Sequence, residues 1–215
     1  MSYLLDIGAN VGKYTLANLQ KYERAVCVDA SAAMCDAMRA RLPADKCQVV
    51  RALVSGDSHP EFFVNRSEPG ISTCCEYWRT RGRFGGSRYD NWERVETGSG
   101  TGCEVIGLDA IVARFGTPAF IKIDVEGHEE SVLRTLTRRA CPLAFEWAEE
   151  MLESAANCVR RLSGIGYAAF AIQKEDDYTY EPPAADYDSA EAIEASLRAS
   201  CVRGRNELWG MIWAK

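Results

Sequence analysis

Histidine is scarce in this 215-residue sequence: His59 and His128 are the only two. Any chemistry that needs an imidazole near neutral pH therefore falls on one of two positions. Long apolar runs are missing as well. Hydrophobic residues make up 47% of the chain, yet no run approaches the roughly eighteen residues of a membrane span. No basic segment of a leader precedes the strand-like run that starts at Tyr3. A soluble, cytoplasmic protein with no membrane partner is expected. A disulfide or zinc framework is not. The nine cysteines are odd in number, contain no CxxC pair and are irregularly spaced from Cys27 to Cys201, apart from the adjacent Cys74 and Cys75. They read as reduced, mostly buried thiols. Positive charge is in deficit, with 25 Lys and Arg against 31 Asp and Glu, a net charge of −6 and a pI near 5.1. That balance argues against a nucleic-acid phosphate backbone as the main partner.

What is present is an alternation of short apolar runs with helical patterns, the mark of a parallel sheet covered on both faces. Strands are predicted at Tyr3–Ile7, Ala25–Asp29, Cys47–Ala52, Phe120–Asp124, Leu143–Glu146, Ala168–Gln173 and Leu208–Ala214. Helices are predicted at Val11–Leu19, Ala32–Arg41, Leu108–Phe115, Glu129–Arg138, Ala148–Leu162 and Ser189–Cys201. Glu61–Asn65 and Cys103–Ile106 read as extra strands inserted into this alternation. The fold class expected is α/β, one domain over residues 1–215 built on a doubly wound, seven-stranded, mostly parallel sheet.

Two stretches lack periodicity. Gly70–Gly102 carries seven glycines and is too long for a plain connection, so it is expected to be a flexible lid. It also interleaves Arg79, Arg81, Arg83, Arg88 and Arg94 with Tyr77, Trp78, Tyr89 and Trp92. Lys174–Asp188 holds six acids and the pair Pro182–Pro183. It reads as an exposed acidic loop leading into a helix that Asp188 caps, with Glu191 three residues on.

The segment "LLDIGANVGKYTL" sets Asp6, Gly8, Asn10 and Gly12 at the junction of the first strand and first helix. Glycines there permit a sharp turn and close approach of a ligand to the backbone, whose free amides favour an anionic or carboxylate group. Neither the GxGxxG of dinucleotide enzymes nor the GK[ST] of a phosphate loop is met. A second carboxylate, Asp29, ends the second strand 21 residues after Gly8, the spacing at which an acid accepts hydrogen bonds from ribose hydroxyls.

These residues resemble the first motif of the class I S-adenosylmethionine-dependent methyltransferases. The resemblance implies a Rossmann-like sheet with its last strand antiparallel, and S-adenosyl-L-methionine as cofactor. Asp6 and the Gly8–Gly12 backbone would hold its methionine part, Asp29 its ribose, and Ser55 or Gly56 its adenine. Taken with "GLDAI", "FIKIDVEGHEESVL" and the final "NELWGMIWA", the sequence is similar to the FkbM-type methyltransferases, typically O-methyltransferases of sugar and natural-product hydroxyls. One departure is Asp29-Ala30, where that family often has Glu-Pro.

An aliphatic hydroxyl is a poor nucleophile until its proton is removed, so such an enzyme needs a general base or a metal beside the acceptor. His128 is the expected base, with Asp124 or Glu126 orienting it or the acceptor. The competing reading has His128 starting a helix and Glu126 favouring its N-terminus through the dipole. Glu146, with Glu149 beyond it, ends the next strand. Likeness to metal-dependent O-methyltransferases implies Mg2+ shared by Asp124 and Glu146; otherwise Glu146 is a strand-end carboxylate lining the substrate pocket. The acceptor expected is a sugar, glycan or natural product, stacked on the aromatic residues of the lid, with its arginines holding hydroxyls or a phosphate. A homodimer that shields the cleft is also open. The alternatives in function are N-methylation of another small molecule or a protein, and a non-catalytic cofactor-binding module. The Pro-Pro-aromatic motif of base N-methyltransferases is missing after Asp124.

Overall fold

Along β1 (Tyr3–Ile7) every side chain is buried. Tyr3, Leu5 and Ile7 pack into one apolar cluster and Leu4 into another. A strand that is apolar on both faces needs helices on both. The computed structural model, which describes residues 2–175, 177–201 and 207–215, supplies them. From β1 the chain runs through α1 (Lys13–Asn18), β2 (Arg24–Asp29), α2 (Ala32–Arg41), β3 (Cys47–Val54), β4 (Phe62–Asn65), α3 (Glu76–Thr80), β5 (Trp92–Val95), β6 (Glu104–Ile106) and α4 (Leu108–Phe115). It continues as β7 (Phe120–Ile123), α5 (Glu129–Arg134), β8 (Leu143–Ala148), α6 (Leu152–Gly164), β9 (Phe170–Lys174), α7 (Ala190–Ser200) and β10 (Trp209–Ala214). Asp176 of the acidic loop and Asn206 before the last strand lie outside the described residues.

Eight strands form one sheet in the order β6-β3-β2-β1-β7-β8-β10-β9. Among the described residues only β10 runs against its neighbours in this sheet. The doubly wound α/β class and the antiparallel last strand hold, but the sheet has eight strands rather than seven. Glu104–Ile106 pairs in parallel with Ala52–Val54 and extends the sheet edge, while β4 pairs with β5 in a separate two-stranded ribbon. Helices α4 to α7 pack on one face of the sheet and α1 and α2 on the other. The chain winds outward from β1 through β2, β3 and β6, then returns to β7 on the other side of β1. This reversal places a crevice beyond the carboxyl ends of β1 and β7.

Local boundaries differ where tertiary contacts override local pattern. β8 continues through Ala148, which was expected to begin a helix, because β10 pairs with it as far as Trp209. Asp188 does not cap α7. It exchanges both main-chain hydrogen bonds with Phe170, and the Ser189 hydroxyl accepts from Ala192 N instead. The Gly70–Gly102 stretch contains α3 and β5. All nine cysteines are free thiols. Among the described residues no helix is long and apolar enough to cross a membrane.

Candidate active site

The loop after β1 is shaped by its neighbour across the switch point. Gly8 has φ +69°, and a Cβ there would lie 1.7 Å from the main-chain oxygen of Asp124. A side chain at position 8 would therefore drive apart the loop and the end of β7. Gly8 N and Ala9 N both donate to Val28 O, which ties the loop to β2 as well. Asn10, itself at φ +52°, donates its main-chain N–H to Asp29 Oδ2 at 2.9 Å, and Ser31 N donates to Asp29 Oδ1 at 2.8 Å. Burial pushes the Asp29 carboxyl up to about 6, against the pull of those two N–H groups.

Asp6 does not face the crevice. It is fully buried, accepts a hydrogen bond from the Thr15 hydroxyl at 2.7 Å and stands 3.4 Å from the Lys122 ammonium. Lys122 in turn lies 3.2 Å from Asp124 Oδ2 and donates to Gly8 O. Burial opposes the charge on Lys122, but Asp124 and Asp6 more than offset it and hold the ammonium above the ordinary lysine range. Asp6 thus acts on the site through Lys122, whose signal in the sequence is a lone lysine in an otherwise apolar strand. Gly12 is also turned away, its Cβ direction filled by Leu42.

A concave cleft opens above these residues. Gly8, Asn10, Asp29, Asp124, Glu126 and His128 line it, with Met34, Leu53 and Phe62 among its apolar contributors. Ser55 and Gly56 sit one layer behind. The Ser55 hydroxyl is 3.0 Å from His128 Nε2 and 3.2 Å from the Ser131 hydroxyl, which accepts from Gly56 N. His128 Nε2 also lies 3.6 Å from Asp57, and Asp57 pairs with Arg134. Burial lowers the imidazole's pKa, Asp57 opposing and Arg134 assisting. The expectation that Asp124 or Glu126 orients His128 is not met: its partners are Ser55 and Asp57, because the turn before α5 swings the ring toward β3.

Asp124, Glu126 and Glu146 converge instead on one another, each offering an oxygen within 4.8 Å of the others. Glu126 and Glu146 are both pushed well above the usual carboxylate range, by burial first and then by Asp124 and neighbouring glutamates. Among the described residues Glu146 Oε2 is shielded from solvent without a hydrogen-bond partner. These three acids line a second cavity, walled by Trp78, Phe84 and Trp209. Asn10, Asp124, Glu126 and Tyr178 belong to both spaces. The roof comes from the Gly70–Gly102 stretch, anchored where Arg83 donates three hydrogen bonds to the Glu150 carboxylate and one to Leu208 O.

Residues 6–153 match the Methyltransferase FkbM domain, more than half of the chain. The chain belongs to the FkbM methyltransferase family. S-adenosylmethionine is accordingly its methyl donor. None of the curated proteins matches the sequence significantly. Solved structures resemble this FkbM chain in outline. Precorrin-6y C5,15-methyltransferase from Geobacter metallireducens aligns over 100% of this chain and 79% of its own, at 13% identity and a TM-score of 0.46. The methyltransferase domain of bacterial CtHen1-CN aligns over 100% and 90%, at 12% identity and a TM-score of 0.44. The glycopeptide N-methyltransferase MtfA, complexed with sinefungin, aligns over 100% and 80%, at 13% and 0.34.

Proposed function

We propose that this FkbM methyltransferase transfers a methyl group to a hydroxyl of a sugar or glycan. The carrying observation is the second cavity: a cluster of half-buried carboxylates under an aromatic roof, sharing a wall with the cofactor cleft. S-adenosylmethionine supplies an electrophilic methyl on a sulfonium. Asp29 accepts the ribose hydroxyls, the loop of residues 8–12 borders the methionine part, and His128, backed by Ser55, borders the adenine side. Phe84 and Trp209, both half-buried, give apolar faces on which a sugar ring stacks while its hydroxyls point at the acids.

Glu146 is the base in this reading, in place of His128. Its solvent-shielded Oε2 is placed to receive the hydroxyl proton in the ionised form of the cluster, as the O–C bond forms and the C–S bond breaks with its electron pair left on sulfur. The proton gained by the cluster replaces the positive charge lost at sulfur, so the cavity's net charge is unchanged across the step. Glu126 Oε2 accepts the Trp78 indole N–H, which leaves Oε1 to orient the acceptor. Arg83, the arginine that lines this cavity, is committed to Glu150, which favours a free or polymer-bound sugar over a phosphate-linked one.

A second reading is favoured by the same orphaned oxygen. The all-oxygen set of Asp124, Glu126 and Glu146 fits Mg2+, which would lower the pKa of the acceptor hydroxyl. Activity that survives exhaustive chelation removes the metal. The main reading is tested with labelled cofactor and a panel of monosaccharides, methyl glycosides and oligosaccharides. Transfer to a hydroxyl, abolished by Glu146→Gln with cofactor affinity retained, is expected. Transfer confined to amines refutes it.

A further inference from the structure

Glu126 stands in a backbone conformation that side chains rarely adopt, at φ +57°, and such strain persists only where surrounding structure enforces it. Part of the enforcement is local: Glu129 Oε1 accepts from Val125 N at 2.9 Å and Gly127 N at 3.3 Å. The rest comes from about fifty residues earlier in the chain. The Thr73 hydroxyl donates to the main-chain oxygen of Glu126 at 2.6 Å. It also accepts from Cys75 N at 2.7 Å, so its single proton is directed at Glu126. Thr73 is itself fixed by two main-chain hydrogen bonds to Phe63 in β4 and is 1% exposed.

The other end of Glu126 is held by Trp78, whose Nε1–H donates to Oε2 at 3.0 Å. Its ring lies against Gly127, where a Cβ would come within 3.2 Å of it, and is backed by Phe84 at 5.5 Å between ring centroids. The two grips act on opposite ends of one residue, and both come from the segment between β3 and β6.

We infer that Thr73 and Trp78 are positioning residues, which hold the Glu126 main chain and carboxylate so that its free oxygen faces the acceptor. The inserted segment is then a constructed part of the acceptor site, not only a cover over it. This rests on the reading of Glu126 as an acceptor-orienting group.

The test uses the full chain carrying Thr73→Val, Thr73→Ser or Trp78→Phe, each alone and with Glu126→Ala. Acceptor turnover is measured on the hydroxyl panel, cofactor affinity by calorimetry and folding by thermal melting. A crystal structure of Thr73→Val gives a readout that needs no acceptor. Thr73→Val and Trp78→Phe lower kcat at least tenfold with cofactor Kd within about twofold, a loss worth about 1.4 kcal/mol or more. Thr73→Ser, which keeps the hydroxyl, recovers most of the loss. In the Glu126→Ala background neither change lowers kcat further, because residues that act through one group are not additive, and the Thr73→Val crystal shows Glu126 out of its left-handed conformation. Full additivity with Glu126→Ala, or an unchanged Glu126 conformation with unchanged kcat in folded Thr73→Val and Trp78→Phe, overturns the inference while leaving the acceptor-site reading in place. Wild-type kcat in Glu126→Ala alone overturns both.

Discussion

The binding of cofactor should depend on pH through Asp29. Its carboxyl is pushed up to about 6 in the free protein, by burial that the N–H groups of Ser31 and Asn10 only partly offset. Ribose hydroxyls donating to it stabilise the ionised form and pull that pKa down in the complex. Binding therefore expels a proton wherever the free protein holds one, and affinity falls as the pH drops below about 6. The sign is fixed by linkage: the protonated free state must lose its proton to bind. With a free-state pKa of about 6, the dissociation constant at pH 5 is about tenfold weaker than at pH 7, and binding at pH 6 releases about half a proton. Calorimetry with S-adenosylhomocysteine, in buffers of different ionisation enthalpy between pH 5 and 8, reads both quantities. Asp29→Asn should bind more weakly at pH 7 and show no such dependence. A flat affinity from pH 8 to 5 in the wild type, or the same slope in Asp29→Asn, would refute the assignment of Asp29 as the ribose acceptor.

Other perturbations separate the roles of neighbouring groups. His128→Ala is expected to weaken cofactor binding about tenfold through loss of a partly buried contact, while turnover at saturating cofactor stays within about threefold. A hundredfold fall in kcat would return the histidine to the role of base. Gly8→Ala should cost about 3 kcal/mol or more in denaturant unfolding, since the new methyl collides with the main chain of Asp124; a variant of normal stability contradicts that packing. Arg83→Met leaves the Glu150 carboxylate, whose side chain is 0% exposed, without its cation. It should lose about 3 kcal/mol and speed proteolysis within residues 70–102, and Arg83→Met with Glu150→Leu should regain most of that. Equal loss in the single and double variants would show that the pair does not anchor the roof.

Periodicity carried the fold a long way. The bounds of β1, α2 and α4 fall where alternation and helical spacing place them, because each is a short element whose burial is set by its own residues. The errors lie where a partner decides. Nothing within Glu104–Ile106 says that it will extend the main sheet, since its register is set by Ala52–Val54. Asp188 and Ser189 are equally good caps by type, and only the bridge to Phe170 takes Asp188 out of use. The cofactor motif showed which residues surround the first loop, but not that Asp6 and Gly12 lie behind it. The acid cluster was visible at Asp124, Glu126 and Glu146, whereas the direction of the His128 ring was not: its partner Ser55 is 73 positions away. Thr73 carried no motif and Trp78 stood out only as one of the lid aromatics, and their grip on Glu126 exists only in contacts across about fifty residues.

The wall held in common by the two cavities has a kinetic meaning. Asn10, Asp124, Glu126 and Tyr178 face both occupants, so filling one space restricts the side chains that bound the other. Whatever factor the first ligand applies to the second, the second returns to the first. Under the proposed assignment of the two spaces, donor and acceptor are therefore expected to show a mutual coupling in initial-rate kinetics, whichever of them binds first.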